Sequence, residues 1–376
     1  MSNTHFTGPV PGEFVPERSE DAGAPRPEPA DAGAANPPYR RRPRYAGKNP
    51  RRFEDKYKEH DPGRYAETIA KVLSSGKTPA GTHRPIMVPE ILEVLAPVPG
   101  ETAVDCTLGY GGHAQELLAR LLPGGQLLGL DADPIELPKT TARLRALGFG
   151  PETFRSHRSN FAGLPKVLAA AGLAGADVIL ADLGVSSMQL DEPARGFSTK
   201  HNGPLDMRMN PQSGQSAAAF LGRVRPDVLA ALLTENADEP FAAVLAPVLA
   251  GHAYATTGEL AAAIRAVLPR LDKDAQDLSV RRVFQALRIA VNDEFSALDM
   301  FLRYLPACLN PGGRVAILTF HSGEERRVTK AFDAGRREGV YAEIAQDALR
   351  AAPIERRDNP RSTSARLRWA RKADVL

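Results

Sequence analysis

Cysteine is almost absent from this chain, in which Cys106 and Cys308 are the two cysteines among 376 residues. They lie far apart in sequence, and each is beside an apolar run, which is typical of buried free thiols. Two cysteines exclude a disulfide framework and a cysteine-ligated zinc site. The chain is therefore expected to work in a reducing compartment, and no metal site is predicted.

Long apolar runs and an excess of one charge are also missing. No stretch approaches the roughly 18 consecutive apolar residues of a membrane span, and the N-terminus lacks the apolar core of a signal peptide. We therefore predict a cytoplasmic protein that does not cross a membrane. The net charge is +3, from 48 basic and 45 acidic residues, which points only weakly to a nucleic acid partner. A hydrophobic fraction of 43% predicts one large globular domain or two smaller ones.

The first 60 residues are rich in proline, alanine, glycine and charge, and are predicted to form a disordered extension. Tyr39, Tyr45 and Phe53 are interleaved with a basic cluster in this extension. Its members are Arg40, Arg41, Arg42, Arg44, Lys48, Arg51 and Arg52. Two interpretations stay open, a solvated tail or an arm that lies on phosphates and stacks on bases. Residues 61–82 are predicted to be a linker with a short helix over 65–73.

Short apolar runs alternate with helical patterns between residues 102 and 182. Strands are predicted at 102–107, 126–130, 153–157 and 178–181, each except the last followed by a helix. This alternation predicts right-handed βαβ units and a doubly wound, mostly parallel sheet. The sheet resumes with a strand over 314–320, after a turn at Pro311–Gly313, and ends with an antiparallel edge strand over 365–370.

Residues 192–290 carry helical patterns without a convincing strand. Helices are predicted over 216–221, 227–233, 257–267 and 279–292. We interpret this region as an inserted helical domain that recognises the substrate. Residues 83–191 and 291–376 then form the domain that contains the sheet.

A glycine-rich turn, Gly109-Tyr110-Gly111-Gly112, connects a predicted strand to a helix, and Asp131 ends the next strand. Such a loop lets the backbone approach a ligand, and the acid can accept both ribose hydroxyls. The pattern suits a dinucleotide or S-adenosylmethionine. Asp105 at the mouth of the loop favours S-adenosylmethionine, because an acid attracts its cationic groups and repels a pyrophosphate.

The passage from Asp177 to Met209 begins as a buried strand that ends in Asp182 and continues as a long polar loop. Loops of this length are usually functional or disordered, and several apolar residues here would anchor the loop. Asp105 and Asp182 are predicted to end neighbouring strands, at the crevice where strand order reverses. The Asp182 loop would then face the transferred group.

These residues resemble the bacterial MraW/RsmH family, which methylates the exocyclic 4-amino group of a decoding-site cytosine in 16S ribosomal RNA. The matching stretches are residues 83–90, 105–113, 130–134, 182–187, 195–198, 203–209, 214–217, 284–289, 320–322 and 359–361. The resemblance implies an α/β class I methyltransferase fold, Rossmann-like, with an inserted all-helical domain. It also implies S-adenosylmethionine as cofactor and the small ribosomal subunit as partner. The oligomeric state does not follow, and a homodimer stays open.

The resemblance also implies cofactor contacts at individual positions. They are Gly111, Gly112, His113, Asp131, Phe161, Asp182 and Gln189, to which the sequence pattern adds Asp105. One departure from the family is the run 236–243, which lacks the basic residues usual there. The basic N-terminal arm would then supply phosphate contacts.

Two residues are candidates for the chemistry. Asp182 can accept hydrogen bonds from the amine and its released proton, or it binds only the amino acid part of the cofactor. His321, at the end of another strand, is the second candidate, with a packed or capping histidine as the alternative. Phe197 could stack on an unstacked cytosine. Arg195 and Arg208 could bind phosphate, or form surface salt bridges.

Two other functions compete with RNA methylation. One is a nicotinamide-dependent oxidoreductase on the same class of fold. The other is a non-catalytic RNA-binding assembly factor that has kept the cofactor pocket. Binding of S-adenosylmethionine against NAD separates the first, and a methyl-transfer assay separates the second.

Overall fold

A computed structural model describes residues 85–374 of the chain. Its centre is a seven-stranded sheet in the order β3-β2-β1-β4-β5-β7-β6, in which β7 is antiparallel to both neighbours and the other pairs are parallel. The strands are β1 Thr102–Asp105, β2 Gln126–Asp131, β3 Phe154–Arg158, β4 Ala176–Asp182, β5 Leu309–Thr319, β6 Tyr341–Ile344 and β7 Arg366–Lys372. The predicted doubly wound, mostly parallel sheet is confirmed.

The described residues also form α-helices, several of which pack on the two faces of the sheet. They are α1 Val88–Leu95, α2 Gly112–Leu121, α3 Glu136–Ala146, α4 Leu164–Ala170, α5 Ser187–Asp191, α6 Ala217–Leu221, α7 Pro226–Ala237, α8 Ala242–Leu249, α9 Thr257–Val267, α10 Lys273–Asn292, α11 Glu294–Cys308, α12 Ser322–Arg337 and α13 Pro353–Asp358. The central strands are apolar along their length because both of their faces are buried. Ile179 packs with residues of α4, α11 and α12, and Val178 packs with residues of α1, α2 and α3.

The C-terminal part of the sheet differs from the prediction in two ways. β7 is not an edge strand, because β6 pairs with it on the outside. The predicted turn at Pro311–Gly313 is a bulge inside β5: Gly312 has a φ of 70°, and the pairing with β4 shifts between Ala176 and Val178. β6 is four residues long with one fully buried side chain, Tyr341, so its sequence carries little alternation.

Helices α6 to α10 share a third apolar core, separate from the two cores against the sheet. The predicted helical segments are present, and α10 begins at Lys273, where the Asp272 side chain caps it. The helix α8, which includes Pro247, was not predicted, because its apolar residues are spread around the axis. The boundaries of the inserted domain stay a prediction, and α10 runs on to Asn292.

Within residues 85–374, no helix combines the length and apolarity needed to cross a membrane. Both cysteines are buried and free, as predicted. The basic arm and the helix predicted over 65–73 lie outside the described residues.

Candidate active site

A cavity of about 770 Å³ opens at the carboxyl ends of β1, β2 and β4. Strand order reverses there, since β1 pairs with β2 on one side and with β4 on the other. The predicted neighbouring of the Asp105 and Asp182 strands is therefore confirmed. This volume is within the range of roughly 300–1,000 Å³ usual for small-molecule sites.

The glycine loop forms one wall of the cavity. Gly111 has a φ of 74° and precedes the first residue of α2, Gly112. A side chain on Gly111 would be strained by this φ and would also approach Thr140 Cγ2 to 3.0 Å. The Thr140 hydroxyl donates to the Gly109 carbonyl at 2.5 Å, so the loop is fixed against α3. Both Gly111 and Gly112 line the cavity.

Asp131 ends β2 at the floor of the cavity. Its Oδ2 accepts from the Gly109 N–H at 2.7 Å and its Oδ1 from the Asp133 N–H at 2.8 Å. Burial raises the pKa of this carboxyl to about 6, although the two backbone hydrogen bonds oppose the shift. Each oxygen keeps a further lone pair for a ligand hydroxyl. These lone pairs are compatible with the predicted ribose contact, which stays a prediction.

Asp182 ends β4 across the crevice from the glycine loop. Its backbone N–H donates to the Thr107 hydroxyl at 2.6 Å, which orients the residue, and 28% of its side chain is exposed. His113 is 8% exposed and points Nε2 at Asp182 Oδ2, 3.5 Å away. That Nε2 has no hydrogen-bond partner within residues 85–374. The site therefore holds an accessible carboxylate beside a buried, uncommitted imidazole nitrogen.

Phe161 and Gln189, for which the family resemblance implied cofactor contacts, also line the cavity. The Phe161 ring packs edge-on against the Phe301 ring, with 5.6 Å between the ring centroids. This contact fixes the ring of Phe161, which gives the cavity an apolar surface. Gln189 is committed within the protein: its Oε1 accepts from the Ser186 N–H at 3.0 Å and its Nε2 donates to Asp133 at 2.8 Å. We interpret Gln189 chiefly as the anchor of the loop that follows Asp182.

Asp105 is a correction to the predicted cofactor contacts. It is 2% exposed, does not line the cavity, and accepts a hydrogen bond from the Thr107 N–H at 3.1 Å. Burial raises the pKa of its carboxyl to about 6; His113 and the Thr107 N–H oppose the shift, and Asp182 and Asp131 add to it. The sequence placed Asp105 at the right strand end, but that end is covered by the protein itself.

We expect Asp105→Asn to stabilise the cofactor-free protein at neutral pH. The carboxyl pKa rises on folding, from an ordinary 3.8 to about 6, so wild-type stability falls as pH rises through this interval. Two pKa units correspond to about 3 kcal/mol, which is an upper limit for the gain above pH 6. Asparagine keeps the acceptor for Thr107. Urea denaturation of both proteins between pH 4 and 8 checks this, and parallel stability curves would contradict it.

Two of the predicted RNA contacts are also wrong in this structure. The Phe197 side chain is 5% exposed within the core of the inserted helices, so it cannot stack on a base. Arg195 has 11% of its side chain exposed and pairs with Asp133 at 2.8 Å. Its other guanidinium nitrogen donates to the carbonyls of Arg208 and Met209. Both side chains hold the 182–209 loop in shape.

Arg208 and His321 have different positions relative to the cavity. Arg208 lines it and is 23% exposed, with its guanidinium paired to both oxygens of Asp206. His321 does not line the cavity; it caps α12, where its Nδ1 accepts from the Glu324 N–H at 3.4 Å. The capping alternative therefore describes His321, and a direct catalytic role does not fit its position.

Asp133 is a structural centre that the sequence analysis did not single out. It is 1% exposed and joins three segments through Gln189, Arg195 and the backbone N–H of Ile135. Its position two residues after Asp131 was visible, but its partners are 56 and 62 residues away in sequence. Arg288, Glu294 and Glu324, which line the cavity near Asp182, were missed for the same reason.

The sequence also matches a known protein family. Residues 80–373 match the model of the MraW methylase family. The chain belongs to the MraW methylase family. One similar chain is ribosomal RNA small subunit methyltransferase H 1 of Lachnoclostridium phytofermentans, 47% identical over 346 residues that cover 90% of this chain and 94% of that one. Methyltransferase H 2 of Alkaliphilus metalliredigens is 49% identical over 342 residues, 89% of this chain and 97% of that one.

Membership of the MraW methylase family decides between the cofactors that the glycine loop left open. S-adenosylmethionine, and not a nicotinamide, is the cofactor of this methyltransferase. The cavity fits it on its own chemistry: Asp131 offers free lone pairs for ribose hydroxyls, and Phe161 offers an apolar face.

Proposed function

We propose that this chain methylates the exocyclic amine of a cytosine in small-subunit ribosomal RNA. The observation that carries the proposal is the accessible carboxylate of Asp182 at the switch point of the sheet, facing the glycine loop. Relatives at 47% and 49% identity carry the name ribosomal RNA small subunit methyltransferase H. Residues 83–191 and 291–376 would form the catalytic domain, and residues 192–290 the inserted domain that meets RNA.

Bound S-adenosylmethionine supplies an electrophilic methyl group. The chain holds it with the Gly111–His113 turn at the N-terminus of α2, with Asp131 at the ribose and with Phe161 beside the adenine. Asp182 is then left to face the amine of the substrate. Positioning of this kind can supply a large part of the rate, because a cytosine amine is a poor nucleophile.

Asp182 accepts a hydrogen bond from the attacking amine and takes the proton that the amine releases. The carboxylate stabilises positive charge that develops on the nitrogen during transfer. His113 lies 3.5 Å away and can hold the protonated carboxyl or pass its proton on.

The target base must leave its stack to reach Asp182. With Phe197 buried, we assign the stacking surface to Phe320, which lines the cavity and follows β5. Phe320 Cδ2 lies 3.9 Å from the position that a Cβ on Gly184 would occupy, so the ring borders the Asp182 loop. Arg208 remains the candidate for a phosphate contact.

The decisive assay is methyl transfer to small ribosomal subunits from a strain that lacks this methylation, followed by mapping of the modified nucleotide. A methyl group on one cytosine amine supports the proposal, and transfer to another base or none contradicts it. Naked ribosomal RNA in parallel distinguishes the assembled particle from free RNA as substrate. We expect a cytoplasmic location, and sedimentation velocity will separate a monomer from a homodimer.

Deleting residues 1–60 is expected to preserve cofactor affinity and to weaken RNA binding. The basic cluster over residues 40–52 would release counterions from phosphates, so the truncation should flatten the slope of log affinity against log salt concentration. Calorimetry with S-adenosylmethionine is the control for the fold. Identical salt slopes for both proteins would show that the segment is a solvated tail.

A further inference from the structure

A buried ion pair borders the cavity beside the Asp182 loop and has no role in the mechanism so far. Arg288 comes from α10 of the inserted domain, and Glu294 from the first turn of α11. The Arg288 Nε and Nη2 donate to the two oxygens of Glu294, each at 2.8 Å. Their side chains are 14% and 11% exposed, and both residues line the cavity. The pair therefore presents a fixed guanidinium at the substrate end of the site.

One edge of this guanidinium is uncommitted. Within residues 85–374, Nη1 of Arg288 donates no hydrogen bond, so two N–H groups remain free. Nη1 lies 4.0 Å from the position that a Cβ on Gly184 would occupy. Gly184 has a φ of 94° and, with no side chain, leaves this edge open toward the cavity. Gly184 follows Asp182 by two residues, so this edge of Arg288 borders the same loop as Asp182.

The nearest further acid does not use that edge. Glu324 is 3% exposed, and one of its oxygens accepts from the Phe320 N–H at 2.8 Å. Its other oxygen lies 3.1 Å from Nε2 of His321. Burial opposes ionisation of this carboxyl, but His321, Arg288 and the Phe320 N–H outweigh it and lower its pKa. Glu324 therefore adds negative charge that keeps Arg288 in place without taking its donors.

A ligand for this site needs a donor toward Asp182 and acceptors toward Arg288. The Watson–Crick edge of cytosine has this order, with the amine donor followed by the N3 and O2 acceptors. Uracil has the opposite groups at the first two positions, an acceptor and then an N–H donor. Enzymes that act on an unstacked base commonly read it by hydrogen bonds to this edge.

We propose that Nη1 of Arg288 donates a hydrogen bond to the N3 atom of the target cytosine while the exocyclic amine of the cytosine faces Asp182. This rests on the proposed function and makes Arg288 the residue that selects cytosine over uracil. Glu294 is its positioning residue, since the two bonds from Nε and Nη2 fix the plane of the guanidinium. Arg288 stays protonated throughout and acts only as a hydrogen-bond donor.

The test compares substrates that differ at one acceptor. Small subunits are reconstituted with RNA that carries cytidine or 3-deazacytidine, which lacks the N3 acceptor, at the target position. For the wild type we expect kcat/KM to fall by about 10- to 100-fold on the deaza substrate, as for the loss of a hydrogen bond to a charged group. The amines of 3-deazacytidine and cytidine also differ in intrinsic reactivity. The ratio of kcat/KM between the two substrates is therefore compared between protein variants.

The variant is Arg288→Gln combined with Glu294→Gln, which avoids an unpaired buried charge. We expect this double variant to methylate slowly. Its kcat/KM should differ between the two substrates only by the difference in intrinsic amine reactivity. Glu294→Gln alone keeps the Nη1 donors and should retain discrimination, though less of it. Arg265→Gln removes an arginine paired with Asp277, away from the cavity, and is the matched control.

Three outcomes would overturn the proposal. The double variant, folded by its thermal transition, could keep the wild-type ratio between the substrates. The wild type could show no penalty for the deaza analogue. The defect could instead be a raised KM for S-adenosylmethionine with normal discrimination, which would assign Arg288 to the cofactor carboxylate. Failure of the wild type to methylate the cytidine particles would contradict the proposed function itself. That result differs from the three outcomes that contradict only the role of Arg288.

Discussion

Asp182→Asn should slow methyl transfer by about 10²–10⁴-fold while leaving S-adenosylmethionine affinity within a few-fold of the wild type. Asparagine keeps the size of the side chain and one acceptor oxygen. It loses the negative charge that stabilises the amine as positive charge develops on it. That charge exists around the transition state, so its loss appears in turnover and not in ground-state binding.

The measurement is single-turnover transfer to small subunits at saturating cofactor, beside a binding isotherm for the same variant. Asp299→Asn is the control, because Asp299 is 60% exposed on α11 and pairs with Arg327 on the surface. His113→Asn tests whether the neighbouring imidazole assists Asp182, because His113 Nε2 lies 3.5 Å from Asp182 Oδ2. A near-normal rate with poor cofactor binding would place Asp182 in the cofactor site and leave another group to accept the proton.

Asp131→Asn should weaken S-adenosylmethionine binding by about 10- to 100-fold, since it removes a charged acceptor from the ribose hydroxyls. The wild-type affinity should also depend on pH. Burial raises the pKa of Asp131 to about 6, so acidification below that value protonates the carboxyl in the free protein. Affinity should then fall with decreasing pH, by up to tenfold per unit.

Calorimetry between pH 5 and 7 checks both statements, with the Asn variant expected to be nearly independent of pH over this range. Asp105 has a similarly raised pKa but does not line the cavity, so Asp105→Asn should keep the pH dependence of binding. A wild-type affinity that is flat with pH, or an Asp131→Asn variant with unchanged affinity, would remove Asp131 from the ribose contact.

Much of the sheet could be predicted from sequence, as could the glycine turn and the acids at the strand ends, because their signals are local. Apolar runs such as Val178–Ala181 report strands buried on both faces, and a glycine turn between a strand and a helix reports a ligand loop. Asp131 and Asp182 are the last residues of their strands, so pattern alone carried them to the correct edge. The short β6 and the proline-containing α8 lacked such a signal.

What the sequence by itself determined is which residues arrive at the carboxyl edge of the sheet. The tertiary structure decided which of them reach the cavity. Asp105 is covered at its strand end and Phe197 is packed among the inserted helices. Arg288, from the predicted helix over 279–292, and Glu294, at the start of the next helix, line the cavity near Gly184. Strand ends follow from local periodicity, whereas accessibility and ion pairing depend on segments far apart in sequence, which meet only when the cores pack.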